Sequence, residues 1–397
     1  MSLDFQQIRN QVKQLGEHAH TRQMESQERL ARARLLLDSH AANLDGLRQK
    51  VQRVVREYDA SLRCALPEKE LLNDHFALPA LPAQATVLAA DGSQIFPDRH
   101  AQVDFGLINV GVIQACYGSQ AAPQIHVTSR LLYDDDLYSS SGILSDSLLA
   151  LRRDLSERTT LAKIAVGATP PVVTFTDGLM EIWGARDLNT PEEVSEFQKS
   201  LNEYLDVLTH MQALSVITAG YVDSPRTSLV VRLLEVALTP DSELPNIKKI
   251  QPLRGITDID LYYPLLSEGE RSPVFSVQSP SIKVYKGPLA LHFFYVNVGR
   301  PGSPSLARVE IPAWVAENPA WVDLLQSILV DQCRIMGSRN YPYLLHRAHE
   351  TAVVTLSEKE QVVQMIAFEL SRHGIRVGGK SQKQSAKDLP GRKRYGV

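Results

Sequence analysis

Two stretches of this chain carry a carboxylate to the end of an apolar strand. In residues 87–96, VLAADGSQIF, the run Val87 to Ala90 stops at Asp91-Gly92-Ser93 and resumes at Ile95 and Phe96; in residues 171–180, PVVTFTDGLM, the β-branched run from Val172 to Thr176 ends at Asp177-Gly178. Each run reads as a buried central strand, and the glycine supplies the unhindered backbone that a tight turn or bulge needs. Side by side, two such strands set two carboxylates at one sheet edge, where each raises the cost of ionising the other unless a cation lies between them. Hard divalent metals suit that chemistry. Turn formation alone accounts for either Asp-Gly, so a third stretch matters: NYPYLLHRAHETAVV, residues 340–354. Pro342 fits the first turn of a helix, which puts His346 and Glu350 on one face and His349 about a third of a turn away. A histidine beside a metal or a scissile phosphate can act as base, acid or ligand.

These residues need a scaffold, and the hydrophobic pattern predicts one. Residues 3–63 are polar with apolar positions at helical spacing and no proline, which predicts two long amphipathic helices acting as a packing or oligomerisation arm. Pro67, Pro79 and Pro82 predict an extended linker over 66–83. From 87 to 133 three strands with intervening turns predict an antiparallel meander that starts at Asp91, with Pro97-Asp98 in the first turn and the acidic run Asp134–Asp136 as a solvated turn. A helix over 143–165 follows, its buried side at Leu144, Leu148, Leu151, Leu155, Leu161 and Ile164, its charged face at Arg152, Arg153, Glu157 and Arg158. The strand ending at Asp177, a helix started by Thr190-Pro191-Glu192-Glu193, a strand at 214–219 and a helix at 228–238 complete a mixed α/β succession. Farther on, a short helix near 258–266, strands at 289–297 and 306–311, and helices over 316–337, 342–356 and 357–373 are expected. The last residues, from 374, are rich in Gly, Ser, Lys and Arg and read as a disordered basic tail.

Composition narrows the class. With 397 residues and 44% hydrophobic content the chain can bury a sizeable core. No segment approaches the roughly 20 apolar residues of a membrane span, and the N-terminus lacks a basic-then-apolar leader, so a soluble, cytoplasmic protein without membrane contact is expected. Cys64, Cys116 and Cys333 are scattered without paired spacing, which excludes a disulfide framework. A net charge of −3 leaves any nucleic-acid affinity to a local basic surface or to a partner.

Four segments, ADGSQ at 90–94, TDGLM at 176–180, AGYVDSPR at 219–226 and YPYLLHRAHETAVV at 341–354, together resemble the motifs of the NurA nucleases, in the same order and over about residues 85–356. The resemblance implies an α/β fold with an RNase H-like mixed sheet core flanked by helices over 85–373, preceded by the helical arm (1–65) and linker (66–84) and followed by the basic tail (374–397). It also implies manganese-dependent hydrolysis of DNA, with magnesium as the alternative ion, exonucleolytic and endonucleolytic work on DNA ends in double-strand break repair, and a homodimer docked on a HerA-type hexameric ATPase. Residue by residue, Asp91 and Asp177 match the family's two strand aspartates as metal ligands. The helix glutamate is matched by Glu157, with Asp154 the competing choice, while Tyr341 and His349 match the C-terminal Tyr-Pro and Ala-His positions. His346 has no assignable counterpart. Leu179 stands where a serine is common, which removes any hydroxyl role there. The implied ligand set is Asp91, Glu157, Asp177 and His349. The competing readings are a catalytically silent DNA-binding or scaffold subunit, and a phosphohydrolase that acts on nucleotides.

Overall fold

The computed structural model describes residues 3–17, 19–97, 103–139, 142–182, 188 and 190–375. The chain opens with α1 (Phe5–Glu17), α2 (Ala19–Ser39) and α3 (Leu44–Glu57); residue 18, between α1 and α2, lies outside the described residues. A tight turn at 40–43, closed by Asn43 N–H on the His40 carbonyl at 2.9 Å, separates α2 from α3. Then come β1 (Cys64–Pro67), β2 (Ala85–Ile95), β3 (Gly106–Tyr117), β4 (Gln124–Leu132), the two-residue strands β5 (Tyr138–Ser139) and β6 (Gly142–Ile143), α4 (Asp146–Ala165) and β7 (Val172–Asp177). After β7 follow α5 (Pro191–Ala213), β8 (Ile217–Val222), α6 (Leu229–Leu238), α7 (Asp258–Tyr262), β9 (Phe275–Gln278), β10 (Leu291–Asn297) and β11 (Leu306–Pro312). Four helices close the chain: α8 (Ala313–Ala316), α9 (Pro319–Ile335), α10 (Tyr343–Ala352) and α11 (Leu356–Arg372). The predicted basic tail beyond Ile375 and Asp98 of the predicted turn lie outside the described residues.

Most elements sit where the pattern put them; three strands do not. Strand β8 starts three residues later than predicted because α5 runs on to Ala213 and Ser215, at φ +55°, closes it. Strands β1 and β9 were not predicted, being only four residues each. Asp134–Asp136 form one 3-10 turn in which Asp136 pairs with Arg130 at 2.9 Å.

Packing divides the chain into two compact units. The first gathers residues up to Ala83, Gly178–Glu181 and Ile217–Tyr343. Its strands run in the order β1-β9-β10-β11-β8, every pair antiparallel. The 66–83 segment, predicted as a linker, is bound into this unit: Leu72 is fully buried, Phe76 bridges Arg271 and lies under its guanidinium at 3.8 Å, and Glu70 accepts from Val274 N–H at 2.6 Å. Prolines removed donors there without removing side-chain anchors. Helix α6 has no cap of its own; Asp258 supplies it, accepting from the N–H groups of Leu229 (2.7 Å) and Val231 (2.9 Å) and from the Tyr295 hydroxyl (2.6 Å).

The second unit gathers Gln84–Asp177, Ile182–Val216 and the residues from Leu344 on. Here β2, β3 and β4 form the predicted antiparallel meander, and β7 lies parallel to β2 on its other side. Meander, helix, and a strand returning parallel to the first are the order of elements of an RNase H-like core. Helix α4 starts at Ser145, whose hydroxyl accepts from Leu148 N–H, and buries Leu148, Leu151 and Leu161 as predicted. Its supposed charged face does not stay in water: Glu157 is 6% and Arg158 2% exposed. Helix α11 lays Val362, Val363 and Ile366 on Ile95, Phe105 and Leu107.

Asp258→Ala strands three donors in a dry interior, at a cost of roughly 3 kcal/mol or more. Urea unfolding of the variant is expected to show that loss, with Asp258→Asn milder because the amide oxygen still accepts.

Candidate active site

Asp91 and Asp177 come together by strand register. Ala90 and Thr176 are the last pair in the parallel ladder of β2 and β7, so Asp91 and Asp177 are the next residue on each strand, just past the ladder's end. Asp177 is exposed at the last position of β7, and Gly178 turns the chain at φ +90°.

His349 reaches this edge because α10 lies directly on β3. Asp91 faces Gly111 in the antiparallel ladder of β2 and β3. A Cβ on Gly111 would stand 2.8 Å from the Ala348 carbonyl oxygen, 2.9 Å from Ala352 N and 2.9 Å from Thr351 Cβ, so only a residue without a side chain lets the helix approach this closely. The end of α10 is fixed there: Ser93 Oγ donates to the Ala352 carbonyl at 2.5 Å and Asn109 Nδ2 donates to the same oxygen at 2.8 Å. Leu344, Leu345, Ala348 and Ala352 face inward. Val353, just past the end of α10, is 43% exposed. From this seat His349 Nδ1 lies 2.6 Å from Asp91 Oδ2, while Asp91 Oδ1 accepts the Gly92 N–H at 2.9 Å. A carboxylate oxygen accepts, so in this contact Nδ1 is the donor and Nε2 is the ring nitrogen that Asp91 does not engage. His346 turns to Glu350 at 3.4 Å, one helical turn away.

Glu157 comes to the site from α4. A Cβ on Gly92 would lie 2.7 Å from Glu157 Oε1 and 2.7 Å from Arg153 Cγ, which places both side chains against the backbone one residue after Asp91. Burial is the main cause that lifts the Glu157 carboxyl well above its ordinary range; the nearby charges of Asp154 and Asp91 add to the lift, and Arg153 and Arg158 oppose it. Asp154 is raised too, chiefly by desolvation and against the pull of Arg153, although its side chain is 42% exposed. Arg153 bonds Asp154 Oδ1 through Nη2 (2.7 Å) and Nε (3.1 Å), and its Nε is 3.5 Å from Glu157 Oε1. Tyr341 belongs to the first unit, its ring edge-on to Tyr221 at a centroid distance of 5.7 Å.

Four of the five residues expected from sequence therefore lie in one unit. Sequence reasoning missed Gly111, Ser93, Asn109 and Arg153. The spacing of Arg153 and Glu157, four apart on a helix, was the available signal for the last; nothing local marked the others, whose partners lie some 240 residues along the chain.

Carboxylates with one imidazole suit a hard divalent cation in donor chemistry, and Glu157 is raised first by burial and then by the negative charges of Asp154 and Asp91. Among the described residues no three His, Cys, Asp or Glu side chains stand gathered as a ready ligand set. Arg153 lies among the carboxylates instead, and His349 is turned onto Asp91.

The family follows from the sequence: the NurA domain model matches residues 85–354, and the chain belongs to the NurA nuclease family. Comparison with curated protein sequences finds no match. Among solved structures, the NurA nuclease from Sulfolobus solfataricus is 13% identical with a TM-score of 0.46, over 85% of this chain and 95% of that one. Endonuclease V of Ciona intestinalis, in complex with a 24mer DNA containing an inosine followed by a ribo-adenosine, is 11% identical with a TM-score of 0.27, over 70% of this chain and 87% of its own. The catalytic domain of human Endonuclease V is 14% identical with a TM-score of 0.29, over 82% and 98%. At these identities and scores the assignment rests on the family match.

Gly111→Ala is expected to lift α10 from β3 and part His349 from Asp91. Overpacking of this kind costs about 1–3 kcal/mol, and a misplacement near 1 Å lowers turnover by about 10²-fold; cleavage rate per folded molecule, with folding checked by circular dichroism, measures both.

Proposed function

We propose that this protein is a metal-dependent DNA nuclease that trims DNA ends in double-strand break repair, working in the cytoplasm as a homodimer with a HerA-type hexameric ATPase. The observation that carries the chemistry is the 2.6 Å contact between His349 and Asp91, made across 258 residues of sequence, with Asp177 on the adjoining strand. Asp91, Glu157, Asp177 and His349 are the residues that would hold the ion, manganese first and magnesium as the alternative. A bound divalent cation supplies charge to stabilise the phosphate oxygens and a more acidic water. Asp91 holds the imidazole in one tautomer and orientation, as carboxylates do for working histidines. His349 Nε2 can then take the proton of the attacking water or complete the ligand shell. Glu157, dry and pushed toward its protonated form, gives up that proton most readily when positive charge arrives. Tyr341 is proposed as a further catalytic residue on the family resemblance alone.

The decisive assay uses labelled single- and double-stranded DNA with manganese, magnesium or a chelator. Cleavage that needs the ion is expected, abolished in Asp91→Asn and Asp177→Asn, and lowered about 10²- to 10⁴-fold in His349→Ala with DNA binding kept. Normal turnover in a verified Asp91→Asn sinks the site. Binding to DNA without any cleavage favours the scaffold reading, and phosphate release from nucleotides with intact DNA favours the phosphohydrolase.

Support for the homodimer comes from α1. None of its residues is buried, and Phe5, Ile8, Val12 and Leu15 repeat at three- and four-residue intervals, each between 37% and 63% exposed. That is the spacing of a coiled-coil seam. Sedimentation is expected to give a dimer at micromolar concentration, weakened by the double change Val12→Asp and Leu15→Asp. A monomer throughout contradicts the homodimer, and failure to co-migrate with a HerA-type ring contradicts the partner.

A further inference from the structure

The acidic residues around Asp91 are not bare. Two arginines of α4, Arg153 and Arg158, oppose the lift of Glu157, and Arg153, a residue that the sequence pattern assigned to the charged face, meets the acids directly. Its head grips Asp154 through two nitrogens, at 2.7 and 3.1 Å, and lies 3.5 Å from Glu157. Its stem is equally placed: Cγ and Cδ come within 2.7 and 3.2 Å of the position a Cβ would take on Gly92. Gly92 follows Asp91 directly, so the arginine lies flat on the strand end, and its side chain is only 31% exposed. A surface arginine that merely met a passing acid would keep its stem in water. This one is packed.

From this placement we propose that Arg153 is the resident counter-cation of the site: it holds Asp154 and Glu157 beside the Asp91 strand while no divalent ion is bound, and it lets go of Glu157 when one binds. The inference rests on the metal-dependent reading of the site given above. Glu157, 3.5 Å from Arg153 Nε, is one of the residues that would hold the ion, and two positive charges at one carboxylate repel, so binding of the ion and the approach of Arg153 to Glu157 oppose each other. The apparent affinity for the ion is then reduced by the fraction of molecules in which the arginine has let go. Arg153 is thus a positioning residue with two effects. It lets the acidic cluster fold without metal, and it sets the ion concentration at which the enzyme switches on.

The backbone is already in place, fixed by the ladder of β2 with β7 and by the packing of α4; what has to move is one flexible side chain, whose exit costs the bond to Asp154 and little backbone change.

The test is manganese binding to the full chain, followed by calorimetry without DNA, together with melting temperature in chelator and in manganese. Arg153→Gln is expected to melt lower than wild type in chelator, to gain more on adding manganese, and to bind the ion at least about fivefold more tightly. Arg153→Lys, which keeps a charge but loses the fork that grips Asp154, is expected to fall between the two. If Arg153→Gln does not fold, Arg153→Lys decides alone: binding at least about twofold tighter supports the proposal, and equal or weaker binding overturns it. Equal or weaker manganese binding by a folded Arg153→Gln overturns it as well, and a raised KM for DNA at unchanged ion affinity assigns Arg153 to the phosphate backbone instead. Failure of the wild type itself to bind manganese is a distinct result: it removes the metal-dependent reading and this inference with it.

Discussion

The site depends on how closely one helix can lie on one strand. At Gly111 the backbone of α10 touches the backbone of β3, and the ladder places Gly111 opposite Asp91. Everything that follows is geometry. The helix end is tied by Ser93 and Asn109, the second of which is itself held by Ser129 on β4 at 2.6 Å, so three neighbouring strands fix one carbonyl. Once that carbonyl is fixed, a histidine one turn earlier has a single place to go, and it meets Asp91. Apolar burial alone would seat α10 with a freedom of an ångström or more; the hydrogen bonds and the missing side chain remove it.

Charge supplies the second constraint. Glu157 and Asp154 are held beside Asp91 although desolvation and mutual repulsion favour their protonated forms. A fold that accepts this cost at one point, while burying leucines elsewhere on the same helix, stores an affinity for positive charge there. Arg153 meets that demand in the structure at hand. The buried pair of Arg308 and Glu310 on β11 reads differently: Arg308 also donates to the Thr227 hydroxyl and Glu310 accepts from the Met180 N–H, an internal tie within the first unit.

Much of this was legible before any coordinates. The meander, its start at the Asp91 strand, the capped helix α5 and the helix after Pro342 are read from period and turn chemistry because their signals lie within a few residues. Asp91 and Asp177 were visible for the same reason, as breaks in apolar runs. What escaped was set by partners far along the chain. Gly111 looks like any glycine in a strand until α10 arrives more than 230 positions later, and α4 looks amphipathic with Arg153 and Glu157 outside until β2 covers them. The linker prolines show the converse error: they correctly rule out helix over 66–83, yet say nothing about Leu72 or Glu70 finding partners in the first unit.

The central claim is that the β2 and β7 strand ends, with Glu157, form a seat for a divalent ion. Crystals soaked in manganese and measured at its absorption edge test this most directly. An anomalous peak within roughly 2.0–2.6 Å of carboxylate oxygens of Asp91 and Asp177, with Arg153 turned away from Glu157, is the expected result. A peak confined to other carboxylates, or none in crystals of protein that cleaves DNA in the same solution, contradicts it.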